Sequence, residues 1–311
     1  MPKISCLIPL YRSRRFEAVI TDNIDAIVDE DVEILVSDRH GEDDCLDRLR
    51  ARYAGRRNIR FLAASDRADW VDNINGLMTE ATGEYLRILP HDDSSTLSAL
   101  TRLVDSLDSA PDAVLAYGAV EAVDIDNNRI PEKDALNANE NPAQRTWKLQ
   151  DALPLFWSGR FNGSFKGLVR TEALRRAGLH IRKTRHLVHS ERTWLFGLAL
   201  CGRFQFTPGI MLTKRYYETS THRSWPNTDQ IILDAADVMT AYSRESIVDG
   251  DARAFCIRDI YWNALRRRRR IESWDERYRR YLPYPDSRSA EFLNLDIASI
   301  SRGHFAHGSG D

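Results

Sequence analysis

Long apolar runs are missing from this 311-residue chain. No window approaches the roughly 20 apolar residues that a membrane-spanning helix needs, so any membrane contact is expected to be peripheral. The opening MPKISCLIPL lacks the apolar stretch of a secretory leader and starts at once as a strand, which leads us to expect a cytoplasmic protein. Cysteine is sparse. Cys6, Cys45, Cys201 and Cys256 lie too far apart for a metal-ligand or redox motif and read as reduced, packed thiols. Neither sign of charge dominates: 44 Lys and Arg against 46 Asp and Glu leave a net charge of -2, so no global field favours nucleic acid or an anionic surface. Glycine is missing where two nucleotide-binding classes require it. The PLYRSRR segment after the first strand has none, which argues against a dinucleotide-binding turn and against a loop that cradles a triphosphate.

What is present alternates. Short apolar runs at Ile4–Pro9, Val32–Ser37, Ile59–Ala63, Tyr85–Leu89 and Ala113–Val120 read as strands. Between them apolar residues recur at helical spacing, as in Phe16, Val19, Ile20, Ile24 and Ile27 and across Asp69–Ala81. This order predicts an α/β fold with a mostly parallel (mixed) sheet flanked by helices. Asp126-Asn127-Asn128 reads as a turn, residues 131–145 as a polar loop, Glu191–Leu200 as a helix ending at Gly202, and Phe204–Tyr217 as one or two strands. From Asp229 onward the pattern is helical, with a Gly/Ser-rich tail at the end. The organisation expected is a domain over 1–225, with halves 1–120 and 121–225, and a C-terminal helical extension over 226–311.

The fourth strand runs into His91-Asp92-Asp93. Two adjacent carboxylates at the end of a buried strand are costly without a partner, and open α/β sheets bind ligands beyond the carboxyl ends of their strands. The first strand ends in Pro9-Leu10-Tyr11 and the second in Ser37-Asp38, so a parallel sheet brings all three ends to one rim. An aromatic ring, a lone acid and a carboxylate pair there suit a nucleoside diphosphate carried by a hard divalent cation.

These segments resemble family 2 glycosyltransferases of the GT-A fold. ISCLIPLYRS is similar to their opening strand, VEILVSDRHGEDD to the second, and NINGLMTEATGEYLRILPHDD to the helix and strand that lead to the "DxD" metal motif. FKGLVRTEALRRAG and HSERTWLFGLALCGRF resemble the acceptor-side strand and the helix opened by the "ED" motif. The resemblance implies a metal-dependent, inverting transfer from a nucleotide-sugar donor to a hydroxyl acceptor, with Mg²⁺ or Mn²⁺ as cofactor. It places Asp92 on the metal, with Pro90 where the first acid would stand. Pro9, Tyr11, Asp38, Asn75 and Asp93 match nucleotide-side positions, and Glu191 matches the general base, with Ser190 replacing the preceding acid. Arg215, toward the diphosphate, and His222, toward the metal, lie on the basic segment that closes over the donor in the family. The expected partners are a UDP-sugar, uridine being the family's commonest base, and a carbohydrate or lipid-linked acceptor in surface polysaccharide or glycolipid synthesis. A degenerate, nucleotide-binding relative without turnover is the alternative, supported by Pro90 and Ser190.

Each of these residues also has a plainer reading. Asp92 and Asp93 could cap the next helix, although Ser94, Ser95 and Thr96 already supply caps. Glu191 could complement a helix dipole, Tyr11 could pack, and Asp38 could close an Asx-turn. The Arg266–Arg270 run points all round a helix. It fits a solvated helix first, anionic lipid headgroups second, and nucleic acid last.

Overall fold

The computed structural model describes residues 2–38, 43–63, 69–134, 147–158, 163–218, 229–266 and 289–302. Its strands are β1 (Ile4–Leu10), β2 (Val32–Asp38), β3 (Ile59–Ala63), β4 (Tyr85–Ile88), β5 (Ala113–Val123), β6 (Leu168–Arg170) and β7 (Arg203–Arg215). They form one sheet in the order β3-β2-β1-β4-β6-β5-β7. Strand β1 pairs in parallel with β2 and β4, β2 with β3, and β5 with β7. Strand β6 is antiparallel to both of its neighbours, β4 and β5. The other six therefore share one direction, and their carboxyl ends share one rim. Because β6 runs the other way, its amino end arrives at that same rim.

The helices among the described residues are α1 (Glu17–Ile27), α2 (Cys45–Arg52), α3 (Trp70–Glu80), α4 (Leu97–Asp108), α5 (Leu149–Ala152), α6 (Leu155–Ser158), α7 (Thr171–Ala177), α8 (Ser190–Ala199), α9 (Asp229–Ser246), α10 (Gly250–Arg266), α11 (Ser289–Leu293) and α12 (Ile297–Ile300). Strand periodicity sorts the core. Cys6, Ile8, Ile34 and Val36 join Phe16, Ile20, Leu49 and Leu103 on the face covered by α1, α2 and α4. Leu7, Leu35, Leu86 and Ile88 join Val71, Ile74, Trp194 and Leu198 on the face covered by α3 and α8. Helix α3 starts at a capping box, in which the Asp69 carboxylate accepts from the Val71 and Asp72 N–H groups at 2.9 and 3.0 Å.

The helical region from Asp229 shares this second core. Leu233, Met239, Tyr242, Phe255, Ile260, Ile297 and Ile300 belong to the same cluster as Leu7 and Trp194. Trp147 also returns to it, donating its indole N–H to the Ala199 carbonyl at 2.9 Å. The four cysteines are free and buried, and burial pushes each thiol up to about 12. Among the described residues, no helix is long and apolar enough to cross a membrane.

Candidate active site

The rim gathers the strand ends as the parallel order requires. Leu10 faces Asp38 across the β1–β2 ladder, and Pro9 faces Ser37. Beyond β1 the chain turns at once. The Tyr11 N–H donates to Ser13 Oγ at 2.8 Å, Arg12 takes a left-handed φ of 50°, and its guanidinium lies 5.2 Å from the Tyr11 ring centre. Asp38 is buried at the end of β2. The helix residue that reaches this strand end is Asn73, which hydrogen-bonds Ser37.

Asn75 is employed elsewhere. Its Nδ2 donates to the Ile181 carbonyl at 2.9 Å, and its Oδ1 accepts from the Ile181 N–H at 2.9 Å. Its amide therefore fixes the loop ahead of α8, where the resemblance had placed it toward the nucleotide.

After β4 the turn Pro90–Ser94 is tightly held. The Asp93 N–H donates to the Pro90 carbonyl at 3.1 Å, and Ser94 makes a two-bond bridge with Thr213 of β7 at 2.9 Å each way. Asn23 of α1 straddles the turn, donating to the Asp93 carbonyl and accepting from the Ser95 N–H. Thr96 is the cap of α4, its hydroxyl accepting from the Ala99 N–H. The plainer reading of the two acids as helix caps is thereby set aside. His91 packs on Phe16 at 5.3 Å between ring centres, with Nδ1 3.3 Å from the Pro9 carbonyl.

The acid pair is divided. Asp93 is 1 % exposed, and its carboxylate pairs with the Lys166 ammonium and accepts the Arg215 N–H at 3.1 Å. Asp92 is half-buried, and Oδ2 accepts the Tyr217 hydroxyl at 2.8 Å. Burial works to raise the Asp92 carboxyl, but His91, Lys166 and Tyr217 together hold it below its usual range. Arg215 is also buried. Its guanidinium donates to the Asp92 carbonyl at 2.5 Å and to Asn127 Oδ1. Asp93 and Arg215, both expected on the ligand side, hydrogen-bond within the turn, and Asp92 is the less buried of the two acids. Among the described residues, no group of three or more His, Cys, Asp and Glu stands ready to hold a metal. His222 and residues 267–270 lie outside the described residues.

Glu191 is the second residue of α8. The helix's N-cap, His189, takes a left-handed conformation (φ 68°), and Ser190 is fully buried with its hydroxyl 3.0 Å from Thr184 Oγ1. Glu191 Oε2 is buried without a hydrogen-bond partner. Burial raises the Glu191 carboxyl above its usual range, against the pull of Arg192, Lys214 and Lys166. Lys214 feels Asp93, Asp92 and Glu191 together, so one electrostatic field joins the turn after β4 to the start of α8. Lys166 is a functional candidate that sequence reasoning missed, and Lys214 lies on the basic segment from which it took Arg215 instead.

The model of the glycosyl transferase family 2 matches residues 5–177, more than half of the chain. The chain belongs to that family. The matched part runs from β1 through α7 and includes the rim acids, while α8 and Glu191 fall beyond it. No curated protein matches the glycosyltransferase by sequence. Among solved structures it is similar to S. aureus TarS 1–349 in complex with UDP-GlcNAc, with a TM-score of 0.60 at 12% identity over 86% of this chain and 74% of that one. The same fragment in complex with UDP gives 0.57 at 10% identity over 83% and 70%. S. aureus TarS gives 0.62 at 11% identity, and there the match covers 94% of this chain but 50% of the other. At these identities the likeness is one of fold.

Proposed function

We propose that this family 2 glycosyltransferase moves a sugar from a nucleoside diphosphate donor, a UDP-sugar first, to an acceptor hydroxyl with inversion at the anomeric carbon. The observation that carries the reading is a pair of acids of opposite character: Asp92, held below its usual range beside the Tyr217 hydroxyl, and Glu191, whose Oε2 is buried without a hydrogen-bond partner. Tyr11 and Asp38, at adjacent strand ends, are the candidates for base and ribose. The TarS structures with UDP-GlcNAc and UDP support a uridine donor.

The donor set fits a divalent ion modestly. Asp92 offers one half-buried carboxylate whose Oδ2 accepts the Tyr217 hydroxyl, and Mg²⁺ is commonly bound by one or two carboxylates with phosphates and water completing the shell. Bound there, Mg²⁺ or Mn²⁺ would supply positive charge to the departing diphosphate. The chain's own residues do the rest. Tyr217 orients Asp92, and Glu191 takes the proton of the acceptor hydroxyl. The acceptor oxygen bonds to the anomeric carbon from one side as the bond to the β-phosphate oxygen breaks on the other, and the electron pair leaves with the nucleoside diphosphate. A burial-raised carboxyl suits this task because it is a stronger base than an exposed Glu. Asn75 serves as a positioning residue for the loop before Glu191. The acceptor is a carbohydrate or a lipid-linked one, reached from the cytoplasm with peripheral membrane contact.

The test combines thermal-shift screening with turnover. UDP-, GDP-, dTDP- and CMP-sugars are screened with and without Mn²⁺, since a ligand of the folded state raises its melting temperature. Free nucleoside diphosphate is then assayed with the best donor. Asp92→Ala is expected to lose about 10²-fold or more in kcat, several kcal/mol of barrier, while melting within a few degrees of wild type. Undiminished turnover would remove Asp92 from the reaction.

A further inference from the structure

The strand that runs against the others brings a charge to the rim. Lys166 ends the 3-10 turn Ser164–Lys166 just before β6, so the reversed direction of β6 sets it beside the turn after β4. Its placement is over-determined. A Cβ on Gly167 would stand 2.4 Å from the Ala116 carbonyl oxygen, so only glycine lets the chain pass β5 there. Arg87, fully buried in β4, donates from Nε to the Lys166 carbonyl at 3.1 Å and from Nη2 to the Met211 carbonyl at 2.7 Å. Burying a guanidinium is costly, and here it ties the Lys166 backbone to β7.

Strand β7 carries the second ammonium. Asp93 binds the Lys166 ammonium through one oxygen and the Arg215 N–H through the other, so Lys166 is moored one residue from Lys214. The two ammonium groups repel: Lys166 is the foremost cause, with burial next, of the fall of Lys214 to about 8. The Lys214 ammonium also sits 5.0 Å from the centre of the Tyr216 ring, and Lys133 approaches the same ring at 4.9 Å. Asp93, Asp92 and Glu191 offset part of this repulsion, yet Lys214 still falls below the usual lysine value, so the two ammonium groups retain capacity for a further anion. A diphosphate carries the charge and the several acceptor oxygens to satisfy both.

We propose that Lys166 and Lys214 form a two-lysine anion site that grips the donor's diphosphate beside Asp92 without a divalent ion. The inference rests on the glycosyl-transfer reading and adds to it a metal-independent part of donor recognition. It assigns Asp93 the task of mooring Lys166.

The experiment is isothermal titration of UDP, uridine and inorganic pyrophosphate in EDTA, on wild type, Lys166→Met, Lys214→Met and Lys166→Arg. Wild type is expected to bind UDP and pyrophosphate, with each methionine variant weaker by about tenfold or more for both. The arginine variant should retain most of the affinity, and uridine should not distinguish any of the proteins. Lys166→Met leaves Asp93 buried and unpaired, so the double variant Lys166→Met/Asp93→Asn separates charge from folding. It should melt near wild type yet still bind pyrophosphate weakly. Pyrophosphate affinities within twofold of wild type in the methionine variants, recovery in the double variant, or a wild type that binds pyrophosphate only with Mn²⁺ would each overturn the site. Wild type that binds pyrophosphate through the lysines but no nucleotide, with or without Mn²⁺, would leave the anion site standing and remove the glycosyl-transfer reading instead.

Discussion

Glu191 concentrates the residue-scale chemistry. Its carboxyl is raised by burial above the ordinary 4.5, so a base role makes kcat/KM climb with pH through an inflection above that value and fall on the acid side. Glu191→Gln should slow transfer by about 10²–10⁴-fold and lose the acid limb, with donor affinity unchanged. Stability runs the other way. A carboxyl whose folded pKa is raised stabilises the fold fully below the unfolded value and loses that contribution as pH rises through the folded value. Glu191→Gln should therefore melt higher than wild type at pH 7–8 and converge with it in acid. A melting curve that shows no gain at pH 8, with a flat wild-type pH profile, would argue for simple dipole complementation. Position and residue type were enough to find Glu191 in the sequence, two residues into a helix that ends before Gly202. They were not enough to separate Asp92 from Asp93, because adjacent acids look alike until burial turns one of them onto Lys166. Lys166 itself was illegible: a lone lysine in FKG, whose partner stands 73 residues earlier in the chain.

At the scale of elements, the parallel strands and their helices were readable because apolar periodicity is a local property. Strand β7 was harder, reading as one or two strands. It is a single 13-residue strand whose ladder with β5 shifts register around Ala119. Gly209, at φ 101°, makes the bend, and it breaks the alternation that a strand pattern depends on. The loop from Ile181 to Ser190 was equally opaque, because its supports are distant. It carries three non-glycine residues at positive φ, His186, Leu187 and His189, each of which costs free energy unless the surroundings enforce it. Thr184, Ser190 and Asn75 are the enforcing contacts. Asn75→Ala leaves both Ile181 backbone groups without their partner, at a cost of about 1–3 kcal/mol. The expected result is a lower melting temperature, faster amide exchange confined to this loop and the start of α8, and a fall in kcat larger than any change in donor affinity. Unchanged exchange there would detach Asn75 from the placement of Glu191.

On the scale of the whole molecule, the helical region from Asp229 onward and the sheet share one core. Tyr242 shows how. Its hydroxyl accepts from the Arg182 N–H at 3.1 Å and donates to the His180 carbonyl at 2.8 Å, so α9 holds the segment that leads to α8. A chain cut after residue 228 would bare the apolar side of α8 and lose those bonds. It should fail to unfold as a cooperative unit and should lack near-ultraviolet circular dichroism. A sharp, reversible melt from the fragment would show that 226–311 is an accessory. Long-range packing of this kind has no signature in a local pattern, which is why the shared core was not legible in the sequence. The sealed thiols have a practical consequence. With Cys6, Cys45, Cys201 and Cys256 all buried and protonated at neutral pH, the native chain offers maleimide reagents no thiolate. One cysteine introduced at the exposed Val248 would then accept a single fluorophore on an otherwise wild-type background.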